Sequence, residues 1–168
     1  MWLYFLVIVG VVALDQATKW LVMSSMELYE SIPFIPNVFH FTYIRNEGSA
    51  FGMLAEHRWV FLVLSVVGIA AVLFYLIKFR PKEKRMWIPL AMIAGGGIGN
   101  MIDRLFYGDT FGGGTVVDFF DFCLFPNLWR WIFNVADAFV CVGAGILFVV
   151  LLLDILRESR EEKKKDNG

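Results

Sequence analysis

Apolar stretches alternate with polar ones along this 168-residue chain, and four are long. They cover about residues 2–23, 59–79, 86–104 and 131–154. A helix needs ~20 residues to cross the ~30 Å hydrocarbon layer of a bilayer, so the pattern predicts four transmembrane helices. Between the first two lies a mixed segment, 24–58. There VFHFTYI alternates in the manner of a strand, and RNEGSAFG follows with turn chemistry at Asn46 to Gly48. The segment 105–130 holds the glycine cluster GDTFGGGT, read as a flexible loop, and then VVDFFDF. The expected fold is therefore mainly α: one four-helix membrane domain over 1–156 with a small extracytoplasmic β-sheet segment. A charged tail, 157–168, is expected to fray.

Composition agrees with this pattern. With 58% hydrophobic residues and a mean hydropathy of +0.64, the chain is too apolar for a soluble domain of its length. Its net charge of -1 offers no footprint for nucleic acid, and none is expected as a partner. Of the two cysteines, Cys141 lies inside an apolar run, so both read as free thiols. The N-terminus lacks the basic and small-residue marks of a cleaved signal peptide and reads as a retained span. Lys and Arg fix the orientation. Lys78, Arg80, Lys82, Lys84 and Arg85 fill the link between spans two and three, and five more basic residues fill the tail. Both termini and that link are therefore expected in the cytoplasm. Trp59, Trp87, Trp129 and Trp131 fall at expected span ends, as an aromatic belt would.

Polar residues inside the spans change the picture most, because an intramembrane charge is costly and calls for a partner or a function. Asp15 lies ~12 Å below the outer end of span one and Asp137 ~9 Å inside span four, while Asn100, Asp103 and Arg104 crowd the outer end of span three. Spacing groups Asp15 with Thr18 and Lys19, Asn100 with Asp103 and Arg104, and Asn134 with Asp137, each set on one helix face. Three polar stripes at one depth are expected to face one another, with Gly95 to Gly99 letting the third helix approach closely. Each also has a purely structural reading. Asp15 with Lys19 is an intrahelical pair, Asp103 with Arg104 an interfacial anchor, and Asn134 glue between helices.

A chemical use follows if Asp118, read with VVDFFDF as the end of the second outer loop, meets Asp137. Two carboxylates near contact share a proton, so one activates water and the other polarises a carbonyl, which hydrolyses amides without a metal or cofactor. Asp121 stands in the same segment as a rival to Asp118. His40 and His57 read as surface residues, no metal site is expected, and a Cys123–histidine nucleophile lacks a local motif. Two other classes are compatible with buried acids. A proton-coupled transporter would spread them across the membrane depth. A noncatalytic assembly factor would use them only as contacts.

These motifs together resemble the bacterial lipoprotein signal peptidases, or signal peptidase II. The resemblance covers nearly the whole chain in five ordered blocks: DQATK (Asp15 to Lys19), RNEGSAF (Arg45 to Phe51), GGGIGNMIDR (Gly95 to Arg104), VVDF (Val116 to Phe119) and FNVADA (Phe133 to Ala138). Gly97 stands where alanine is usual, and Phe51 where tryptophan also occurs. The resemblance implies an aspartyl endopeptidase of the bacterial cytoplasmic membrane that cuts a prolipoprotein just before its diacylglyceryl-modified cysteine, among membrane lipids at the outer leaflet. It selects Asp118 and Asp137 as the catalytic pair. It implies that Asn46, Asn100, Arg104 and Asn134 orient or bind substrate, and that Asp15, Lys19 and Asp103 support the cluster.

Overall fold

The computed structural model describes residues 2–47, 58–108, 111–124 and 132–166. In chain order these form α1 (Trp2–Ser25), β1 (Ser31–Ile35), β2 (Phe39–Asn46), α2 (Arg58–Phe79), α3 (Lys84–Phe106), β3 (Val116–Phe122), β4 (Ile132–Phe133) and α4 (Val135–Asp166). Three of the four helices contain stretches long and apolar enough to cross a membrane: Trp2–Ser25, Leu62–Phe79 and Val135–Lys163. Within the chain only 6% of the second stretch and 11% of the third are buried, so their apolar surface has almost no protein to cover it. The remaining helix, α3, is diluted by Pro89, a glycine run, Asn100, Asp103 and Arg104. It packs against α1, α2 and α4 and faces protein on most sides, which removes the need for lipid-compatible side chains all round.

On α1 the buried positions are Tyr4, Ile8, Val11, Asp15, Lys19 and Val22, steps of three and four that trace one helix face. That face is apolar at its start, charged in the middle and apolar again at its end. The first part joins a core of Leu76, Trp87, Leu90, Ala91 and Ala94, and the last joins Tyr43, Val117, Phe119 and Val135. A polar layer therefore separates two apolar cores. Trp87 is an exception to the expected belt. It is buried against Tyr4 with ring centroids 5.1 Å apart, because Tyr4 has its hydroxyl tied to the Pro81 carbonyl and holds the indole at the bundle end. Trp129, Trp131 and the side chain of Trp59 lie outside the described residues, as do His57 and Gly48 to Phe51.

The glycines of α3 make the close packing possible. A Cβ on Gly95 would sit 2.8 Å from Val11 Cβ of α1, one on Gly96 would strike the Ala136 carbonyl of α4, and one on Gly97 would sit 2.9 Å from Ile69 Cγ1 of α2. Successive residues turn by about 100° and so meet three different neighbours. The obstacles differ in stiffness. Gly96→Ala meets backbone and is expected to cost about 1–3 kcal/mol, whereas Gly97→Ala meets only the Ile69 side chain, which can shift more readily than backbone, and is expected to cost less. Thermal unfolding of the two variants side by side checks the order.

The sheet is antiparallel, in the order β1-β2-β3-β4. The expected strand at VFHFTYI is β2. VVDFFDF, read above as loop, is β3, and Asp118 sits inside that strand rather than at the end of a loop. Val116 to Phe122 is rich in β-branched and aromatic residues, and this preference outweighs its two carboxylates. The glycine cluster also differs from expectation. Gly112 and Gly114 donate their N–H groups to the carbonyls of Leu105 and Arg104, and Thr115 donates to Tyr107, so this segment caps α3. The start of the tail differs as well: α4 continues through the charged segment as far as Asp166.

Candidate active site

Asn134 caps α4. Its Oδ1 accepts the Asp137 N–H at 2.9 Å, and Asp137 Oδ2 accepts the Asn134 N–H at 3.3 Å, which makes a reciprocal capping box over N-V-A-D. Asn134 therefore precedes the helix, and the pair is a cap rather than a stripe on a helix face. The cap fixes Asp137 in the first turn, where the helix dipole favours negative charge. The Asn100 amide from α3 donates to Asp137 Oδ1 at 2.7 Å.

The same Asn134 side chain reaches Asp118. Its Nδ2 lies 2.7 Å from Asp118 Oδ1, 3.0 Å from Asn100 Oδ1 and 3.2 Å from the Val117 carbonyl. Asn46, at the end of β2, donates to Asp118 Oδ2 at 2.9 Å. A register shift in the β2–β3 pairing sets Asn46 against Val116, so its amide reaches Asp118 diagonally across the ladder. Asp118 is 1% exposed, while Asp137 is half-buried. Burial, and next the negative charge of Asp137, push the Asp118 carboxyl up to about 7, against the lowering pull of the Asn46 and Asn134 amides. Arg104, near the end of α3, is within Coulombic range of Asp137, Asp118 and Asp103.

Beneath this pair lies an ion cluster with no exposure at all. Lys19 Nζ is 2.9 Å from Asp15 Oδ2, 2.8 Å from Asp103 Oδ2 and 2.9 Å from Asn100 Oδ1, so the three ammonium protons have three acceptors. Each acid reaches on to a further element. Asp15 Oδ1 accepts the Ala136 N–H in the first turn of α4 at 3.0 Å, and Asp103 Oδ2 accepts the Val117 N–H of β3 at 3.0 Å. A Cβ on Gly99 would lie 2.5 Å from Asp15 Oδ2, so the missing side chain admits the carboxylate. The cluster thus ties α1, α3, β3 and α4 together directly under the two aspartates. Among the described residues no buried side-chain polar atom lacks a hydrogen-bond partner.

Residues 7–153 match the family model described as signal peptidase (SPase) II. The chain belongs to the signal peptidase II family. A lipoprotein signal peptidase of Halalkalibacterium halodurans is 40% identical over 166 residues, 99% of each chain. One from Brevibacillus brevis is 44% identical over 156 residues, 92% of this chain and 97% of the relative. A bacterial membrane enzyme structure obtained by the in meso method at 2.3 Å resolution superposes with a TM-score of 0.80 at 30% identity, covering 92% of this chain and 90% of that one.

Within this signal peptidase II chain, Asp15, Lys19, Asn46, Asn100, Asp103, Arg104, Asp118, Asn134 and Asp137 form one connected polar region. Asp121 does not join it: it lies farther along β3 and accepts a hydrogen bond from Thr42 Oγ1 at 2.8 Å. Gln16 is a member that sequence reasoning missed. Its Nε2 is 2.8 Å from Asp103 Oδ1 and 3.1 Å from the Gly99 carbonyl, and its Oε1 accepts from the Tyr107 hydroxyl at 3.0 Å. Its place beside Asp15 in DQATK was the available signal, since a glutamine within a span needs partners as a charge does. Arg45 was named only as part of a motif. It donates to the Tyr43 hydroxyl at 2.9 Å and to the Tyr107 carbonyl at 3.3 Å, at the rim of the sheet.

Proposed function

We propose that this chain is an aspartyl endopeptidase of the bacterial cytoplasmic membrane that removes signal peptides from prolipoproteins, cutting just before the diacylglyceryl-modified cysteine. The observation that carries the chemistry is the Asn134 bridge: its amide donates to Asp118, and its Oδ1 and N–H pair with the N–H and carboxylate of Asp137. Asp118, buried and raised to about 7, still holds its proton in about half of the molecules at neutral pH, and in that form it polarises the scissile carbonyl. Asp137 accepts two N–H groups in the first turn of a helix and is more accessible, which suits the carboxylate that takes a proton from the attacking water. The water oxygen bonds to the carbonyl carbon, the tetrahedral intermediate collapses, and the amine leaves with a proton from the pair. Asn46, Asn100 and Asn134 orient the acids. Arg104 and Asn46 offer donors to substrate carbonyls. Asp15, Lys19 and Asp103 fix the platform beneath.

We read the bundle as four spans, α3 included, with both termini in the cytoplasm and the site at the outer leaflet. The basic link and tail support this orientation. So does the Arg85–Asp154 contact of 2.6 Å, which gathers the start of α3 and the late part of α4 at one end. Asp137 precedes Asp154 by seventeen residues, roughly 26 Å along a helix, which sets the catalytic pair near the opposite face of a ~30 Å hydrocarbon layer. A signal helix would present its end there, and the lipid on the cysteine would stay in the bilayer beside the apolar surfaces of α2 and α4. A transmembrane proton relay is disfavoured, since the buried polar groups gather at one end of the bundle.

Incubating the purified chain with a diacylglyceryl-modified prolipoprotein and an unmodified control tests the reading. Cleavage of the modified precursor alone is expected, and equal cleavage of both or of neither contradicts it. The rate should fall above about pH 7 as Asp118 loses its proton. Stability shifts with the same sign. An unfolded aspartate releases its proton near 4, so between about 4 and 7 the folded chain holds the extra proton. This contribution is complete below pH 4 and lost as pH rises to 7, and unfolding midpoints across that window check it.

A further inference from the structure

The face of the β2–β3 pair away from the phenylalanines carries a second group of reactive side chains. His40 on β2 is the direct cross-strand partner of Asp121 on β3. Cys123, two residues further, points to the same side, and its N–H continues the ladder by donating to the Val38 carbonyl at 2.9 Å. One ligand atom from each, an imidazole nitrogen, a carboxylate oxygen and the thiol sulfur, lies within 4.8 Å of the other two. All three are half-buried. Phe39, Phe41, Phe120 and Phe122 pack on the opposite face, with ring centroids 5.1 to 6.1 Å apart in successive pairs, so the aromatic cluster braces the strands that carry the three donors.

We propose that His40, Asp121 and Cys123 form a binding site for a divalent transition metal, Zn²⁺ by its donor set. Imidazole, carboxylate and thiolate are the three donor types zinc takes, and three protein ligands leave a fourth position for water. Tetrahedral bonds of about 2.0–2.3 Å separate donors by roughly 3.3–3.8 Å, so the side chains close by about 1 Å as the ion enters. The carboxylate is already oriented. Thr42 Oγ1 donates to Asp121 Oδ2 at 2.8 Å, and Ser31 Oγ lies 2.8 Å from Thr42 Oγ1, a chain of outer partners that positions a ligand. The Cys123 thiol contacts the Asp121 carbonyl at 3.7 Å; on metal binding its proton passes to solvent and the sulfur bonds the ion as thiolate. Asp121 stands three residues from Asp118, about 10 Å along the strand, so the ion would staple the β2–β3 pair without entering the peptidase site.

Titrating the full-length chain in detergent with Co²⁺, under a non-chelating reductant, tests this. One saturable ion per chain is expected, with a thiolate-to-cobalt charge-transfer band that Zn²⁺ abolishes. Cys123→Ser should erase the band, and His40→Ala and Asp121→Asn should each weaken binding by about tenfold or more, while Cys141→Ser and His57→Ala leave it unchanged. Metal-free melting curves of each variant show whether it folds. No saturable binding by the unaltered chain, or equal binding by folded His40→Ala and Cys123→Ser variants, overturns the proposal. The outcome is independent of prolipoprotein cleavage.

Discussion

Asp118→Asn and Asp137→Asn are each expected to lower cleavage of a lipidated precursor by at least about 10³-fold while the chain stays folded. General acid–base groups contribute about 10²–10⁴ each, and groups that act as a unit fail together when either is lost. Asparagine keeps the shape and about half of the hydrogen bonding: its one oxygen can still accept from the Asn134 amide at position 118 and from the Asn134 N–H at position 137. Combining the two changes should add little to either alone. Asp154→Asn, a half-buried change about 26 Å farther along the same helix, serves as the control. Rates with lipidated precursor, read beside melting curves, separate lost chemistry from lost folding.

The largest stability effect is expected at Lys19. Lys19→Met removes an ammonium that satisfies Asp15, Asp103 and Asn100 at once and leaves two buried carboxylates facing each other. Stranding buried charge in this way costs about 3–5 kcal/mol. Neutralising the acids in the same chain, as Asp15→Asn, Lys19→Met and Asp103→Asn together, should recover much of the loss, because the penalty belongs to the unpaired charge. Melting curves of the single and triple variants check this. A surface ion pair such as Arg85–Glu83 should matter far less, because both side chains stand in water.

Much of this was legible in the sequence, for identifiable reasons. The α1 stripe from Tyr4 to Val22 shows the helix period, and Asp15 with Lys19 on that stripe marked the only face where a charge is tolerable. The glycine run announced close approach, and the structure adds which neighbour each glycine meets. What stayed hidden depended on tertiary contacts. VVDFFDF carries two acids, and its strand character became evident only once β2 lay alongside to pair with it. N-V-A-D read as a helix face because the apolar run upstream masked the helix start, although a capping box was written there. The Gly112–Thr115 segment looked slack because sequence alone does not reveal that its N–H groups finish α3. Spacing left Asp118 and Asp121 as rivals and the family resemblance chose the first; the fold adds a physical reason, since Asp118 points at Asn134 and Asp121 across the sheet at Thr42.

The central claim is that Asp118 and Asp137 form one proton-sharing pair. An infrared titration of the carboxyl C=O band, in the unaltered chain and in the two asparagine variants, tests it most directly. The account predicts a buried protonated carboxyl that titrates near pH 7. It predicts that this signal vanishes in Asp118→Asn and moves to lower pH in Asp137→Asn, where the neighbouring charge is gone. A titration unmoved by loss of Asp137 would contradict it.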